Sequence, residues 1–201
     1  MNSIAYKIGD SLYLNITNRC TNKCVFCIRD KAKLFNSKHD LWLKKEPTTQ
    51  EIIEAIGDPT KYKEIVFCGY GEPLIRLDTV IEVSRWLKEK GAKVRIDTNG
   101  HGNLIHKRNI VPELKGLIDS ISISLNAPNS KEYNELCQPD FGEDAFDAII
   151  EFARECGKYI PNVELTVVGL PGSDVKDAKK FADELGATFR VRTYYEQDYV
   201  K

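Results

Sequence analysis

Short runs of aliphatic and β-branched residues alternate along this chain with longer amphipathic segments. Such alternation is typical of repeated strand–helix units built around a parallel sheet. The runs predict six strands, at 12–17, 64–68, 93–98, 120–125, 162–168 and 188–192. The amphipathic segments predict helices at 49–56, 78–90, 103–115, 130–136, 143–155 and 174–185. A further run at 4–8 can pair with the first strand across a turn at Gly9 and Asp10.

Six strand–helix units are too few for a closed barrel of eight, so we expect an α/β fold with an open, partial (βα)6 TIM-like barrel. With 201 residues, of which 42% are hydrophobic, one domain over 1–201 can bury a sufficient core. In the fourth strand Ile121 and Ile123 alternate with Ser122 and Ser124. The apolar set is expected to pack on helices and the polar set to line a cavity, although an exposed edge strand would show the same alternation.

Three of the six cysteines lie within eight residues, in a predicted loop over 18–30 that follows the first strand. Cys20, Cys24 and Cys27 are therefore expected at the carboxyl edge of the sheet, and their spacing favours metal ligands over disulfides. A structural zinc site needs four ligands, and a ferredoxin sequence brings a fourth cysteine nearby. Three thiolates instead leave one iron of a [4Fe–4S] cluster open to a substrate or cofactor.

A second candidate site follows the second strand, where residues 68–73 read Cys-Gly-Tyr-Gly-Glu-Pro. Glycines such as Gly71 let the backbone approach a ligand closely. The carboxylate of Glu72, at the end of a strand, can accept a hydrogen bond from an ammonium group. Alone, Gly-Glu-Pro is equally a turn that begins a helix.

Together the two motifs resemble those of the radical S-adenosylmethionine (SAM) superfamily. Cys20, Cys24 and Cys27 match its C-x3-C-x-aromatic-C spacing, with Phe26 as the aromatic residue, and 68–73 resembles its GGE motif in a G-x-G-E-P form. The resemblance implies that the cysteines hold one [4Fe–4S] cluster whose open iron is chelated by SAM. It also implies reductive cleavage of SAM to a 5′-deoxyadenosyl radical, which abstracts hydrogen from a substrate.

The same resemblance assigns further residues to SAM. Gly71 and Glu72 are implied to bind the methionyl amino group, and Asp-Thr-Asn-Gly at 97–100 resembles a sequence of glycyl-radical-enzyme activases, although Asn-Gly is also a common turn. Short polar side chains of the fourth strand match the family's ribose and carboxylate positions, and the backbone at Val168 matches its adenine position. The implied SAM-binding residues are Phe26, Tyr70, Gly71, Glu72, Asp97, Asn99, Ser122, Ser124, Asn126, Val168 and Arg192.

Over the whole chain, the motifs are most similar to the small radical SAM proteins described as TatD-associated. This resemblance implies a functional link to a TatD-type hydrolase, and the cluster implies a flavodoxin or ferredoxin-type reductant. An open barrel would accommodate a peptide, protein or RNA substrate, and a small molecule held by Arg190 and Arg192 is the alternative. Cys137 is a candidate hydrogen donor to a substrate radical, although a lone cysteine is more often a buried apolar residue. Cys68 and Cys156 are interpreted as such buried residues.

The segment 29–47 has no clear periodicity and contains several lysines. Its place directly after the cysteines predicts either a cover over the cluster or a solvated basic segment. An iron–sulfur or zinc module for electron transfer or binding, without SAM cleavage, is the alternative function for the chain as a whole.

Charge and hydropathy narrow the class of partners. The 29 basic and 30 acidic residues are interspersed and give a formal net charge of -1, which argues against a nucleic-acid or membrane-surface footprint. No apolar run approaches the length of a membrane span, and the N-terminal residues lack the pattern of a secretory leader. The expected location is therefore the cytoplasm, without membrane association.

Overall fold

A computed structural model of the chain describes residues 3–31, 34–36, 38–171 and 175–194. Within these ranges, seven strands form one sheet in sequence order. They are β1 (Ala5–Ile8), β2 (Ser11–Leu14), β3 (Ile65–Phe67), β4 (Val94–Thr98), β5 (Ser120–Ser124), β6 (Asn162–Gly169) and β7 (Thr188–Thr193). β1 pairs antiparallel with β2, and β2 to β7 pair in parallel. The predicted open (βα)6 barrel, preceded by a hairpin strand, is confirmed.

Helices and short 3-10 turns connect the parallel strands. The helices are α1 (Thr49–Ile56), α2 (Leu77–Glu89), α3 (Gly102–His106), α4 (Val111–Leu114), α5 (Ser130–Cys137), α6 (Asp144–Tyr159) and α7 (Lys176–Leu185). Helix α1 begins with a capping box in which Thr48 and Glu51 satisfy each other's backbone N–H groups. None of the described helices is long and apolar enough to cross a membrane. The cytoplasmic location stays a prediction.

Several predicted helices have different bounds in the structure, and the one expected at 143–155 is α6, which extends to Tyr159. The single helix expected at 103–115 is two short helices, because Lys107 adopts a left-handed φ of 52° after α3 and Pro112 lies in the first turn of α4. A left-handed residue ends a right-handed helix, and proline has no N–H to continue one. The helix expected from position 174 begins at Lys176, and position 174 itself lies outside the described residues.

The alternation of side chains in the strands separates an apolar core from a polar cavity. Ile121 and Ile123 are completely buried in the core that contains residues from the sheet and the helices. Ser122 is turned to the opposite, concave face, where a cavity of about 440 Å³ lies between the strands. The cavity is lined by Tyr13, Glu64, Arg95, Asp97, Ser120, Ile121, Ser122, Asn162, Val163, Glu164, Thr188, Arg190 and Arg192. Ser122 therefore lines a cavity, as predicted, whereas Ser124 is not among its lining residues.

Candidate cluster and cofactor site

The cysteine loop over 18–30 is anchored on the segment that ends α5. Backbone hydrogen bonds run from Lys23 N to Cys137 O at 2.9 Å, from Val25 N to Leu136 O at 2.9 Å and from Asp140 N to Thr21 O at 2.8 Å. The three thiols of the loop are free and partly exposed. The segment 136–140 therefore fixes the path of the backbone that carries them.

Buried polar side chains support the same loop from behind. His101 joins Thr21 Oγ1 through Nδ1 at 3.0 Å and the Tyr133 hydroxyl through Nε2 at 3.2 Å. Asn22 Nδ2 donates to that hydroxyl at 2.9 Å, and Asn99 Nδ2 donates to Thr21 Oγ1 at 2.9 Å. These bonds connect the cysteine loop to the loop after β4 and to α5, so the loop has little freedom to move on its own.

Sequence reasoning missed His101 and Tyr133. His101 stands in the segment Asp-Thr-Asn-Gly-His-Gly-Asn at 97–103, which was interpreted through its acidic and amide residues alone. Both side chains are fully buried in the structure. The available signal was a histidine four residues after Asp97, which was predicted to face inward. Its partner Thr21, however, is 80 positions away in the chain.

His101 gives the fold a specific pH dependence. Burial lowers the pKa of its imidazole to about 4, so the unfolded chain binds a proton that the folded state excludes between about pH 6.5 and pH 4. Unfolding free energy should therefore fall as pH drops through this range, by about 2 kcal/mol from this group between pH 7 and pH 5. Urea unfolding of the cluster-free protein and of its His101→Gln variant, whose side-chain amide can form hydrogen bonds but does not titrate, would measure it. Equal pH slopes for the two proteins would contradict this role of His101.

The loop after β3 touches the cysteine loop so closely that only glycine fits at position 71. A Cβ atom on Gly71 would lie 2.4 Å from the carbonyl oxygen of Thr17 and 2.5 Å from that of Arg19. The next residue, Glu72, donates its backbone N–H to Arg19 O at 2.8 Å. The Gly-Glu-Pro segment is therefore in direct backbone contact with the cysteine loop.

The carboxylate of Glu72 connects the loops after β3 and β4. One oxygen accepts hydrogen bonds from Leu74 N at 2.9 Å and Thr98 Oγ1 at 2.8 Å, and the other accepts from Asn99 N at 2.7 Å. Burial raises the pKa of Glu72 to about 7, while these three bonds act in the opposite direction. Both oxygens already have protein partners, so a SAM ammonium would have to share them. The predicted bond from Glu72 to SAM stays a prediction.

Other predicted SAM residues meet where the side chain of Arg192 on β7 extends across β6 towards the end of β5. Arg192 Nη2 donates to Ser124 Oγ at 3.2 Å and to Asn126 Oδ1 at 3.0 Å. Val168 on β6 pairs with Arg192 in the strand register. The structure therefore brings Ser124, Asn126, Val168 and Arg192 together at the carboxyl end of the sheet, and their contact with SAM stays a prediction.

Two predicted residues lie deeper in the barrel. Ser122 donates to Glu164 Oε2 at 2.8 Å, and Asp97 accepts from Arg95 Nη1 at 2.8 Å. Both line the cavity on the concave face. Ser122 lies within β5, whereas Asn126 lies beyond the end of that strand. The contact of Ser122 and Asp97 with SAM stays a prediction.

Cys137 lies behind the cysteine loop. Its side chain has no exposed surface, its sulfur is 3.6 Å from Asn126 Nδ2, and it interacts with the thiol of Cys24. It is not among the residues that line the cavity. The predicted role of Cys137 as hydrogen donor stays a prediction.

The segment 29–47 packs against the hairpin of β1 and β2 in its described part. Leu41 is almost fully buried in an apolar cluster with Tyr6 and Tyr70, and Phe35 packs against this cluster. Asn18 of the cysteine loop joins the segment through two bonds with the backbone of Leu43, at 2.8 and 3.1 Å. The described part of the segment is thus packed on the fold, and its predicted role as a cover over the cluster stays a prediction. Residues 32, 33 and 37 lie outside the described residues.

The aromatic residues of the two motifs, Phe26 and Tyr70, both pack against apolar side chains. Trp42 packs edge-on against Tyr70, with ring centroids 5.4 Å apart, and Phe26 packs against the apolar core. Tyr70 is nearly fully buried, whereas Trp42 keeps a partly exposed face. Both motif aromatics are therefore held by apolar contacts.

The three thiols fit a cluster better than a single metal ion. In the parts of the chain that the structure describes, no three Cys, His, Asp or Glu side chains converge on one ion. A four-iron cluster binds each thiolate through a different iron, so its ligands need not converge. Cys20 Sγ lies 3.5 Å from Asn22 N and 3.9 Å from Asn99 Nδ2, and such N–H groups support a ligating thiolate.

Burial sets the protonation of these thiols. It raises the pKa of Cys20 to about 12 and also raises the pKa of Cys27. Neutral thiols are therefore favoured without a nearby positive charge, and iron supplies that charge when it binds. Cys20, Cys24 and Cys27 would hold the cluster, and binding should release their protons.

Comparisons with known proteins agree with this geometry. A family model described as the radical SAM superfamily matches residues 14–185. A putative glycyl-radical enzyme activating enzyme of Methanocaldococcus jannaschii is 31% identical over 193 residues, which cover 90% of this chain and 74% of that protein. A probable GTP 3′,8-cyclase of Thermococcus kodakarensis is 25% identical over 90% of this chain and 55% of its own length. The chain thus spans about half the length of some curated relatives.

A solved structure shares the fold. Streptococcus suis SuiB bound to its precursor peptide SuiA superposes with a TM-score of 0.71 at 20% identity, covering 98% of this chain and 42% of SuiB. An open (βα)6 barrel with three thiols on the loop after its first parallel strand defines a class of iron–sulfur enzymes that act with SAM. This chain belongs to the radical SAM superfamily. Its cofactors are accordingly a [4Fe–4S] cluster and SAM.

Proposed function

We propose that this chain cleaves SAM reductively and uses the 5′-deoxyadenosyl radical to abstract a hydrogen atom from a protein or peptide. The observation that carries the proposal is the contact between the cysteine loop and the Gly71-Glu72 loop, with backbone atoms of Thr17 and Arg19 against Gly71. This contact places the two family motifs side by side at the carboxyl edge of the sheet. When bound, the cluster supplies the electron that breaks the S–C5′ bond of SAM.

The residues of the chain have distinct roles in this proposal. Cys20, Cys24 and Cys27 hold the cluster, and the amide of Asn99 supports Cys20. The polar group formed by Ser124, Asn126 and Arg192 binds the ribose and carboxylate of SAM through hydroxyl, amide and guanidinium groups. Arg192 has no carboxylate partner among the ion pairs of the described residues, so its charge is available to an anionic group. The backbone at Val168 adjoins the adenine.

A protein or peptide substrate is supported by two relatives and by the shape of the barrel. The Methanocaldococcus relative is described as an activating enzyme, and SuiB was solved with a precursor peptide. Within the described residues, β7 pairs with β6 alone, so the barrel is open along that strand. A polypeptide segment can therefore approach the concave face from the side. RNA and a small molecule are the competing substrates.

Isotope transfer from a labelled substrate tests the proposal. The protein is reconstituted anaerobically with iron and sulfide, reduced with dithionite and given SAM in ordinary water. Extract from cells grown with deuterium is then added as separate macromolecular and small-molecule fractions. Deuterium in 5′-deoxyadenosine is expected only with the macromolecular fraction, and protease treatment of that fraction should abolish it. Nuclease treatment is the matched control.

Each other outcome of this experiment is informative. Deuterium transfer from the small-molecule fraction would replace the protein substrate with a metabolite, and sensitivity to nuclease would indicate RNA. A reducible cluster that neither binds SAM nor gives 5′-deoxyadenosine would contradict the proposal and favour electron transfer. Perturbation of the EPR signal of the reduced cluster by SAM separates binding from cleavage.

The finer family assignment is also a proposal. The motifs shared with TatD-associated radical SAM proteins support a functional link to a TatD-type hydrolase, and a low-potential flavodoxin or ferredoxin is the proposed electron donor. Replacement of dithionite by a reduced flavodoxin should sustain SAM cleavage. Failure of both carrier types, with dithionite still active, would exclude these donors.

A further inference from the structure

The outer edge of β7 can accept another strand. β7 pairs with β6 without a break from Thr188 to Thr193, and none of the described residues forms a backbone hydrogen bond with its other side. Sheet edges are usually protected by proline, lysine, a bulge, inward-facing charges or a covering segment. Of these devices β7 has only two charged side chains, Arg190 and Arg192.

The opposite edge of the same sheet is covered by the chain itself. β1 has only four residues, and Ser3, directly before it, donates its backbone N–H to Asp40 O at 2.7 Å. Tyr6 of β1 packs in an apolar cluster with Leu41 of the segment 29–47. The segment 29–47 therefore covers one edge of the sheet, whereas no described segment covers the other.

The two faces of β7 differ in chemistry. Thr188, Arg190 and Arg192 line the cavity on the concave face. Phe189 and Val191 alternate with them, and Phe189 packs against the core while Val191 is 47% exposed. Side chains directly opposite each other on neighbouring strands share a face and lie about 5 Å apart. An added strand would therefore place every second side chain beside an arginine and the others beside apolar surface.

The carboxylates in the cavity lining already have partners. Arg95 bonds to Glu64 at 3.3 Å and to Asp97 at 2.8 Å. Glu164 accepts two bonds from Arg190, at 2.9 and 2.6 Å, although the Arg190 side chain keeps 45% of its surface exposed. These pairs leave Arg190 accessible from the open side of the barrel.

Arg192 carries a charge that no carboxylate of the described residues balances. Its Nη2 donates to the neutral Ser124 and Asn126, and its enclosed Nε has no hydrogen-bond partner among those residues. Burial lowers the pKa of the guanidinium, and an anionic neighbour would act in the opposite direction. Five N–H donors can serve a SAM carboxylate on one side and a substrate carboxylate on the other.

The arginines argue against a second copy of this chain at the same edge. Two β7 strands that pair antiparallel, with both concave faces on one side, place Arg190 opposite Arg190 or Arg192 in the central registers. Like charges directly opposite each other on paired strands are destabilising. An acidic strand has the complementary charge.

We propose that an extended acidic segment of the polypeptide substrate docks on β7 as an additional strand, with carboxylate side chains at alternate positions facing Arg190 and Arg192. This inference rests on the proposed function and narrows its substrate to a polypeptide in which acidic and apolar residues alternate. Main-chain hydrogen bonds supply affinity, and the alternate side chains supply specificity. Substrate residues just beyond Arg192 then lie at the carboxyl edge, beside the predicted SAM groups.

A designed peptide tests the docking edge without a known substrate. Fluorescein-labelled Gly-Val-Glu-Val-Glu-Val-Gly is titrated anaerobically with the reconstituted protein, and binding is followed by fluorescence anisotropy. A peptide with lysine in place of glutamate should bind more weakly by about tenfold, because two partly exposed ion pairs are lost. A peptide of the same composition, with its glutamates and valines in separate blocks, should also bind more weakly. Equal affinity for all three would overturn the proposal.

Backbone methylation tests whether the peptide binds as a strand. In an extended strand the N–H groups of alternate residues point to opposite sides, so only the glutamates or only the valines donate to β7. N-methylation of one set should abolish binding, and N-methylation of the other set should leave it nearly unchanged. Loss with both sets, or with neither, would contradict strand addition.

Arg190→Gln tests the charge contact. It should weaken binding of the glutamate peptide by about fivefold, the effect of one partly exposed ion pair, and should not weaken binding of the lysine peptide. Arg154→Gln is the matched control, because Arg154 is an arginine of similar exposure that is paired with a glutamate on α6. Equal weakening by both substitutions would mean that the peptide senses only the overall charge.

Further measurements identify another occupant of the edge. A dimer of the protein alone that the peptide dissociates, as seen by analytical ultracentrifugation, would assign β7 to a second copy. Peptide binding that appears only after residues 195–201 are removed would assign it to that segment. Either result would overturn the docking proposal.

SAM cleavage is measured on the same preparation with dithionite. 5′-Deoxyadenosine formed by a protein that does not bind the peptide would overturn the docking edge alone. Peptide binding by a protein with a reducible cluster that does not cleave SAM would overturn the proposed function and leave the docking edge intact.

Discussion

Cys24→Ala should abolish both the iron content and the SAM cleavage of the reconstituted protein. Cys24 is the middle ligand of the loop, and two thiolates are too few to hold a cluster that needs three from the protein. We expect iron to fall from about four atoms per chain to a small residue, and 5′-deoxyadenosine to fall to the background without enzyme. Iron and sulfide analysis, the absorbance of the cluster and chromatography of the products measure these losses.

Cys137→Ala provides a stringent control for this prediction. Its thiol interacts with that of Cys24, so the two residues share an environment and differ in the predicted ligand role. Removal of the small buried side chain of Cys137 should reduce stability modestly while the iron content stays near that of the wild type. Equal loss of iron in both variants would show that Cys137 is a ligand, and it would refute the three-cysteine assignment.

The fold could be predicted because its signals are local. Alternation in β5 identifies the buried Ile121 and Ile123 from neighbouring residues alone, and the order of parallel strands follows from helices between them. The break between α3 and α4 was missed because Lys107 is not a typical left-handed residue. Its conformation depends on the chain around it, which a periodic pattern does not record.

Site residues that form a motif of fixed spacing could be predicted from the sequence. Site residues that depend on contacts with distant parts of the chain were missed. Cys20, Cys24 and Cys27 are recognisable because one short loop contains all three. His101 supports the loop through Thr21, and Tyr133 supports it through a residue 111 positions away. Such pairs depend on tertiary structure, which has no local sequence signal.

Side-chain and backbone contacts make the site a single unit. Glu72 bonds to the loop after β4, while its backbone N–H bonds to the cysteine loop. Arg76, three residues past Pro73, donates to the carbonyl of Ile16 at 2.8 Å. A change at the Gly-Glu-Pro segment should therefore disturb the cluster ligands even though it removes none of them.

Gly71→Ala tests this coupling most directly. The added methyl group would lie 2.4 and 2.5 Å from the carbonyl oxygens of Thr17 and Arg19, and because both neighbours are backbone atoms, the loops must separate. We expect a loss of about 1–3 kcal/mol in the unfolding free energy of the cluster-free protein, together with poor retention of iron after reconstitution. Urea unfolding and iron analysis measure the two effects.

Gly157→Ala is the matched control substitution, and it is expected to raise the unfolding free energy rather than lower it. Gly157 lies in α6, and a Cβ atom there would meet nothing within 4 Å. Alanine should stabilise this helix by about 0.5–1 kcal/mol, because it restricts the unfolded chain and has the higher helix propensity. Iron retention should stay at the wild-type level, since α6 does not carry a cluster ligand. If both variants were equally stable and equally loaded with iron, the close contact between the Gly-Glu-Pro segment and the cysteine loop would have no part in holding the cluster.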